Sequence, residues 1–270
     1  MMLPRTLKTV TPGNALIVAK NAAAGAARII MRHYGKTLQV DEKHRHDFVT
    51  EIDRQSEAFI IQTIRRAFPG HEILAEESGT HERPGPYRWI VDPLDGTTNY
   101  IHGIPFFAIS IALEINGQIA AALVYEPVRQ EWFTATADHG AFLNGRRIHV
   151  SGVADSAYSV LATGFPFRDY SKVDSYMKLF KFFMLNSSGI RRPGSAALDL
   201  CYLACGRFDG FWELNLSPWD VAAGSLIIKE AGGTVTDFRG GTEYIYSGTI
   251  VGSNSRIHSW MLDAIRNHFE

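Results

Sequence analysis

The stretch FFAISIALEINGQIAAALVYEP, residues 106–127, constrains the fold more than any other part of the chain. Two long apolar runs flank Asn116-Gly117, the pair favoured where both central residues of a tight hairpin turn take positive φ. The chain therefore holds a hairpin. A second hairpin pattern follows in EWFTATADHGAFLNGRRI (131–148), with Asn144-Gly145 near its second turn. Upstream, HEILAEES (71–78) and YRWIVD (87–92) read as short apolar strands that end in acids.

Helical patterns surround these strands. Residues 12–34 place Leu16, Ile17, Ala24 and Ile29 near the 3.6-residue period, and many alanines permit close packing. Residues 44–70 predict a second helix, with Thr50 as N-cap, Asp53 as its capping-box acid, Ala58, Ile61 and Ile64 on one face, and Pro69-Gly70 as its end. Beyond residue 150, strand-like YSVLATGFPF and RFDGFWEL alternate with helical stretches at 169–187, 194–206 and 217–233. The third has Ser217 as N-cap, Pro218 at its first position and glycines at its end. The tail adds strands and a last helix over 255–269.

The 270 residues suffice for one large domain or two intimate lobes. The absence of linkers and repeats predicts a single unit over 1–270, with a seam near 148–152 between lobes of about 1–150 and 151–270. A net charge of −1 excludes a global field for nucleic acid or anionic membrane. The pairs Arg65-Arg66, Arg146-Arg147 and Arg191-Arg192 read as solvated faces or interface contacts. No apolar run is long enough to span a bilayer. The opening MMLPRTLKTV does not resemble a signal peptide, so the expected location is cytoplasmic. Cys201 and Cys205 share one side of a helix without metal partners and read as small buried residues.

The candidate chemistry lies in WIVDPLDGTTNYIHGIPFF (89–107). Pro93 fixes its own φ and pushes Asp92 toward extended geometry. Asp92 is expected at the last extended position of a strand, with Pro93 and Leu94 turning the chain and Asp95 returning to the same mouth. Such a turn aims both carboxylates and the Leu94 carbonyl at one point. Gly96, Thr97 and Thr98 begin a short helix whose first amides suit an anion. Glu76 closes an earlier strand, and Asp220 opens a later helix. Each acid also has a structural reading: Asp-Pro-x-Asp-Gly is ordinary turn chemistry, and Ser217-x-x-Asp220 is a capping box. If the four acids converge, their mutual repulsion calls for a cation. Carboxylates, a carbonyl and waters, without Cys or His, favour Mg²⁺ over zinc. Two such ions about 3.5–4 Å apart can clamp the attacking and leaving oxygens of a phosphoryl displacement.

The motifs DFVTEID (47–53), AEES (75–78), WIVDPLDGTTNYIHG (89–103), GSAALDL (194–200) and PWDVAAG (218–224) belong to a resemblance that covers nearly the whole chain. In this order they resemble the inositol monophosphatase family of Mg²⁺-dependent, lithium-sensitive phosphatases. TGFPF (163–167) and RRPGSAALDL (191–200) look like its bacterial branch. The resemblance implies an α/β fold, the layered αβαβα sandwich of the inositol monophosphatase/fructose-1,6-bisphosphatase type, and a homodimer. It implies hydrolysis of myo-inositol monophosphate to inositol and phosphate by two-metal activated attack of water. Glu76, Asp92 and the Leu94 carbonyl would hold one Mg²⁺; Asp92, Asp95 and Asp220 a second; Glu76 would also help with a weaker third. Thr97, hydrogen-bonded to Asp53, would orient the water and help deprotonate it. The amides of Gly96 and Thr97 would grip the phosphate. Asp95, the backbone at Ser195 and Ala196, Glu213 and Asp220 would contact polyol hydroxyls. Ala75 departs from the pattern, standing where glycine is frequent.

Related families act on fructose 1,6-bisphosphate, 3′-phosphoadenosine 5′-phosphate, histidinol phosphate or NADP, and the stretch after Asp95 resembles the inositol group most. A non-catalytic regulatory protein on the same fold is the alternative of a different class. His44 and His46 read as surface residues, Gly232-Gly233 as a helix stop, and Phe180, Phe182 and Phe183 as core or dimer contacts. Lys43 is a further residue that the loop before Asp47 could bring near the site. No Ser-His-Asp arrangement or GxSxG elbow is visible.

Overall fold

The computed structural model describes residues 10–36, 40–44, 47–83, 85–166 and 169–269. The expectations for the N-terminal stretch up to residue 9, for His46 and Phe167, and for the side chains of Lys43 and His44 lie outside the described residues.

In chain order, α1 (Pro12–His33), β1 (Val40–His44) and β2 (Asp47–Thr50) lead into α2 (Glu51–Ala67). β3 (Glu72–Ala75), β4 (Gly79–His81), β5 (Tyr87–Asp95) and the short α3 (Thr97–Ile101) follow. Next come β6 (Ala108–Ile115), β7 (Gln118–Glu126), β8 (Glu131–Thr136), β9 (Ala141–Leu143) and β10 (Arg146–Arg147). The second half comprises β11 (Val160–Thr163), α4 (Val173–Asn186), β12 (Gly189–Arg191), α5 (Ala196–Ala204) and β13 (Gly210–Leu214). It closes with α6 (Pro218–Glu230), β14 (Thr234–Thr236), β15 (Thr249–Ser253) and α7 (His258–His268).

The expected hairpins seed the larger sheet, which has eight strands in the order β10-β9-β8-β7-β6-β5-β3-β4. Both Asn-Gly turns have positive φ at each residue, as the sequence demanded. Only β3 and β5 pair in parallel there. The smaller sheet runs β12-β11-β13-β15-β14, parallel on one side of β13 and antiparallel on the other.

Alternation along the strands divides the core. Trp89, Val91, Ile109, Ile111, Leu113 and Leu123 face α1 and α2. Ile90, Ala112, Ala122 and Val124 face α5 and α6, whose other side meets Phe211 and Ile250 of the smaller sheet. Leu161, Trp212 and Val251 on its outer side pack against α4 and α7. The layers therefore run αβαβα. A helix between two sheets must be small and apolar around its circumference. α6 is buried continuously from Asp220 to Ile228, and a Cβ on Gly224 would come within 2.5 Å of Leu200 on α5.

Thr50 and Asp53 form the expected capping box of α2, and Ser217 and Asp220 that of α6. The faces expected of α1 and α2 need correction. Ile17 is exposed and Leu16 only half-buried; the buried stripe of α1 is Ala15, Val18, Ala19, Ala22, Ala23, Ala26 and Ile30. The small residues win because α2 lies close, and a Cβ on Gly25 would be 1.9 Å from the Phe59 ring. On α2, Ile61 and Ile64 are buried but Ala58 is exposed. Phe183 is buried, and Phe180 and Phe182 pack on the same α4–α7 core. Cys201 is buried and Cys205 half-buried, both as free thiols. No described helix is long and apolar enough to cross a membrane.

Candidate functional site

Strand ends and helix starts from both halves meet at a cleft of about 340 Å³. Asp92 and Asp95 are three residues apart on β5, a spacing that in a regular strand would put them on opposite faces of the sheet. A bulge prevents this. Asp92 pairs with Ser110 and Asp95 with Ala108, so Pro93 and Leu94 together oppose Ile109. Pro93 has no N–H to offer the ladder and fits such a position. The expected turn after Asp92 is thus corrected: the strand continues through Pro93, and the extra residue brings both acids to one mouth.

α6 delivers Asp220 from its first turn, where the Ser217 N–H donates to Asp220 Oδ2 at 2.7 Å. One carboxylate oxygen from each of Asp92, Asp95 and Asp220 lies within 4.8 Å of the other two. Glu76, just past β3, lines the same cleft, as do Leu94, Gly96, Thr97, Ser195, Ala196 and Glu213. Asp53 stands behind the cleft on α2. The Thr97 hydroxyl lies 3.0 Å from both Asp53 Oδ1 and the Leu94 carbonyl, so it donates to one at a time. Asp53 Oδ2 accepts from the Thr50 N–H at 2.8 Å and the Thr50 hydroxyl at 2.5 Å.

Asp95 is held from the second half of the chain. The Ser195 hydroxyl donates to its Oδ2 at 2.5 Å and the Ala197 N–H at 2.8 Å. Gly96 takes φ +90°, and a Cβ there would stand 3.0 Å from the Phe106 carbonyl, so glycine suits both the conformation and the space. Gly164 clears the other wall: its Cβ would fall 1.8 Å from Glu213 Oε1.

Crowding marks these acids electrostatically. Burial, then the charges of Glu76, Asp95 and Asp220, hold the Asp92 carboxyl well above the usual range. Burial pushes Asp95 up to about 6, against the opposing bonds from Ser195 and Ala197. Burial also raises Asp53, while its bonds from Thr50 pull the other way. Groups that resist ionisation this way would be relieved by a cation among them.

The structure adds residues that the sequence reading missed. Arg192, half of a pair read as a solvated face or interface, lines the cleft with its guanidinium 5.4 Å from the Phe165 ring centre. Asp199 is buried at the cleft wall, pushed well above the usual range by burial and then by Glu213 and Asp95. Its Oδ1 has no hydrogen-bond partner among the described residues. Asn99 Nδ2 donates to the Phe106 and Pro193 carbonyls at 2.7 and 2.9 Å, tying α3 to the segment before α5. Asp199 had one available signal, its place one helical turn after Ser195 in GSAALDL.

The αβαβα layering, with three carboxylates gathered in one cleft, defines a class of layered α/β proteins with an acid-lined site. Residues 13–270 match the sequence profile of the inositol monophosphatase family, and the chain belongs to that family. Family members are metal-dependent, generally on Mg²⁺. The chain is 46% identical to the Nus factor SuhB of Pseudomonas aeruginosa over 260 residues, covering 94% of this chain and 96% of that one. A crystal structure of the extragenic suppressor protein suhB from Bartonella henselae superposes with a TM-score of 0.90 at 44% identity, covering 93% and 98% of the two chains. An inositol monophosphatase structure from Anabaena gives a TM-score of 0.83 at 38% identity, covering 95% and 96%.

Proposed function

We propose that the chain is a Mg²⁺-dependent phosphomonoesterase that releases inorganic phosphate from a phosphorylated polyol, with myo-inositol monophosphate as substrate. The observation that carries this reading is the convergence of Asp92, Asp95 and Asp220 within 4.8 Å in a cleft that also holds Thr97. The donor set fits the ion: oxygens only, with no His or Cys among the cleft residues. In this reading Glu76, Asp92, the Leu94 carbonyl, Asp95 and Asp220 hold Mg²⁺. When bound, Mg²⁺ neutralises the carboxylates and stabilises charge on the phosphoryl oxygens.

The chain's own groups do the rest. The Thr97 hydroxyl, 3.0 Å from Asp53 Oδ1, orients the attacking water and passes a proton toward Asp53. The amides of Gly96 and Thr97 bind phosphate oxygens. Asp95, the backbone at Ser195 and Ala196, Glu213 and Asp220 meet the polyol hydroxyls. Gly164 leaves the Glu213 carboxylate the room to do so. The same reading treats residues 1–270 as one unit, with a metal-binding lobe of about 1–150 and a substrate-side lobe of about 151–270. It expects a lithium-sensitive homodimer in the cytoplasm.

The test is a phosphate-release panel: inositol 1-phosphate, fructose 1,6-bisphosphate, 3′-phosphoadenosine 5′-phosphate, histidinol phosphate and NADP, each with Mg²⁺, chelator or lithium. Turnover of inositol 1-phosphate that needs Mg²⁺ and falls with lithium supports the reading. Release from none of the five, or release that persists in chelator, overturns it.

The names of the relatives favour a second reading, in which the chain also serves as a Nus factor. The four acids argue against that as its only role. Complementation of a host lacking the chain by Asp95→Asn would favour the second role, and failure would favour catalysis.

A further inference from the structure

One face of α2 runs behind the acid centre. Asp53, Ser56 and Glu57 stand three and four residues apart, share that face and are all buried. Each reaches a different part of the centre. Asp53 takes the Thr97 hydroxyl. Ser56 donates to the Pro93 carbonyl at 3.1 Å, inside the bulge that aligns Asp92 with Asp95. Glu57 accepts the Glu77 N–H at 2.7 Å on Oε2 and the Ser78 N–H at 2.9 Å on Oε1.

Those two amides follow Glu76 directly, and the Glu76 N–H donates to the Val91 carbonyl at 3.2 Å. The backbone of Glu76 is therefore fixed on both sides, by β5 before it and by Glu57 after it. A buried glutamate is rare unless paired. No cation among the described residues pairs with Glu57; the two hydrogen bonds it accepts both come from one short segment. A carboxylate spread over two adjacent amides is a strong, directional clamp.

We propose that Glu57 is a positioning residue, whose two oxygens lock the chain after Glu76 and so aim the Glu76 carboxylate toward Asp92 and Asp95 for a divalent cation. The inference rests on the reading of Glu76 as a cation ligand.

Glu57→Gln keeps the shape but replaces one acceptor oxygen with a donor, so one of the two amides loses its bond. Calorimetric titration of the purified full chain with Mg²⁺ alone should show affinity reduced by about 10–100-fold, the range for outer-shell partners of metal ligands. KM for inositol 1-phosphate at saturating Mg²⁺ should stay at the wild-type value. In a Glu76→Gln background the same change should add little, because its effect passes through that side chain. Glu57→Asp keeps the charge but is one methylene too short to span both amides. It should show the same loss, and it carries the test if Glu57→Gln does not fold. Wild-type Mg²⁺ affinity in either folded variant, or full additivity with Glu76→Gln, overturns the proposal. A wild-type chain that binds no Mg²⁺ overturns the cation-site reading itself, so the two failures are distinguishable.

Discussion

Without metal, Asp95 opposes folding at neutral pH. Burial holds its carboxyl at about 6, against 3.8 for an ordinary aspartate. Between those values the folded chain binds more protons than the unfolded one. Stability therefore falls as pH rises from about 4 to about 6, and stays low above that. Two units at about 1.4 kcal/mol each give about 3 kcal/mol. Asp95 is only half-buried, so solvent screens part of this, and the working figure is about 1–2 kcal/mol. Asp95→Asn removes the titration and also relieves Asp92, whose ionisation Asp95 opposes. The assay is urea unfolding of both proteins in chelator at about pH 4.5 and about pH 8, at one protein concentration. The variant should gain about 1–2 kcal/mol on the wild type between the two conditions. Saturating Mg²⁺ at the higher pH should reverse the order, because only the wild type keeps the full acid set. A difference that does not change with pH, or that grows toward acid, would refute the reasoning.

Two further outcomes follow from the cleft. Thr97→Val keeps the shape of the side chain and removes the hydroxyl; kcat should fall by about 10²–10⁴ with Mg²⁺ affinity unchanged, and a loss below about tenfold in steady-state assays would end the relay assignment. Gly164→Ala puts a Cβ 1.8 Å from the present position of Glu213 Oε1. KM for inositol 1-phosphate should rise about tenfold while turnover of p-nitrophenyl phosphate, which lacks polyol hydroxyls, is unchanged; equal effects on both substrates would remove Glu213 from substrate recognition.

Much of the local structure was legible because its signals are local. Asn116-Gly117 and Asn144-Gly145 specify their turns through backbone sterics alone. Thr50-x-x-Asp53 and Ser217-x-x-Asp220 specify helix starts through bonds spanning three residues. The buried faces of α1 and α2 were less legible. Apolar periodicity says which residues can be buried, but the distance to the neighbouring helix decides between Ile17 and Ala19. Asp92 and Asp95 were expected to converge and do share a cleft, through a bulge rather than a turn. A bulge is defined by its partner strand, and β6 begins only at Ala108.

Most elements and their caps follow from steric and hydrogen-bonding preferences within a few residues, while the motifs carry the family resemblance and the residue types at the site; the strand Asp47–Thr50, inside a stretch read as helix, needed its partner β1 to show it. What those residues meet is a product of the folded chain alone. Ser195 reaches Asp95 across 100 positions, Glu57 reaches Glu77 across 20, and Arg192 and Asp199 join the cleft wall. Contacts of that span depend on how two sheets pack about α5 and α6. That packing is set by the summed shape and burial of the whole core, which no short stretch of sequence records.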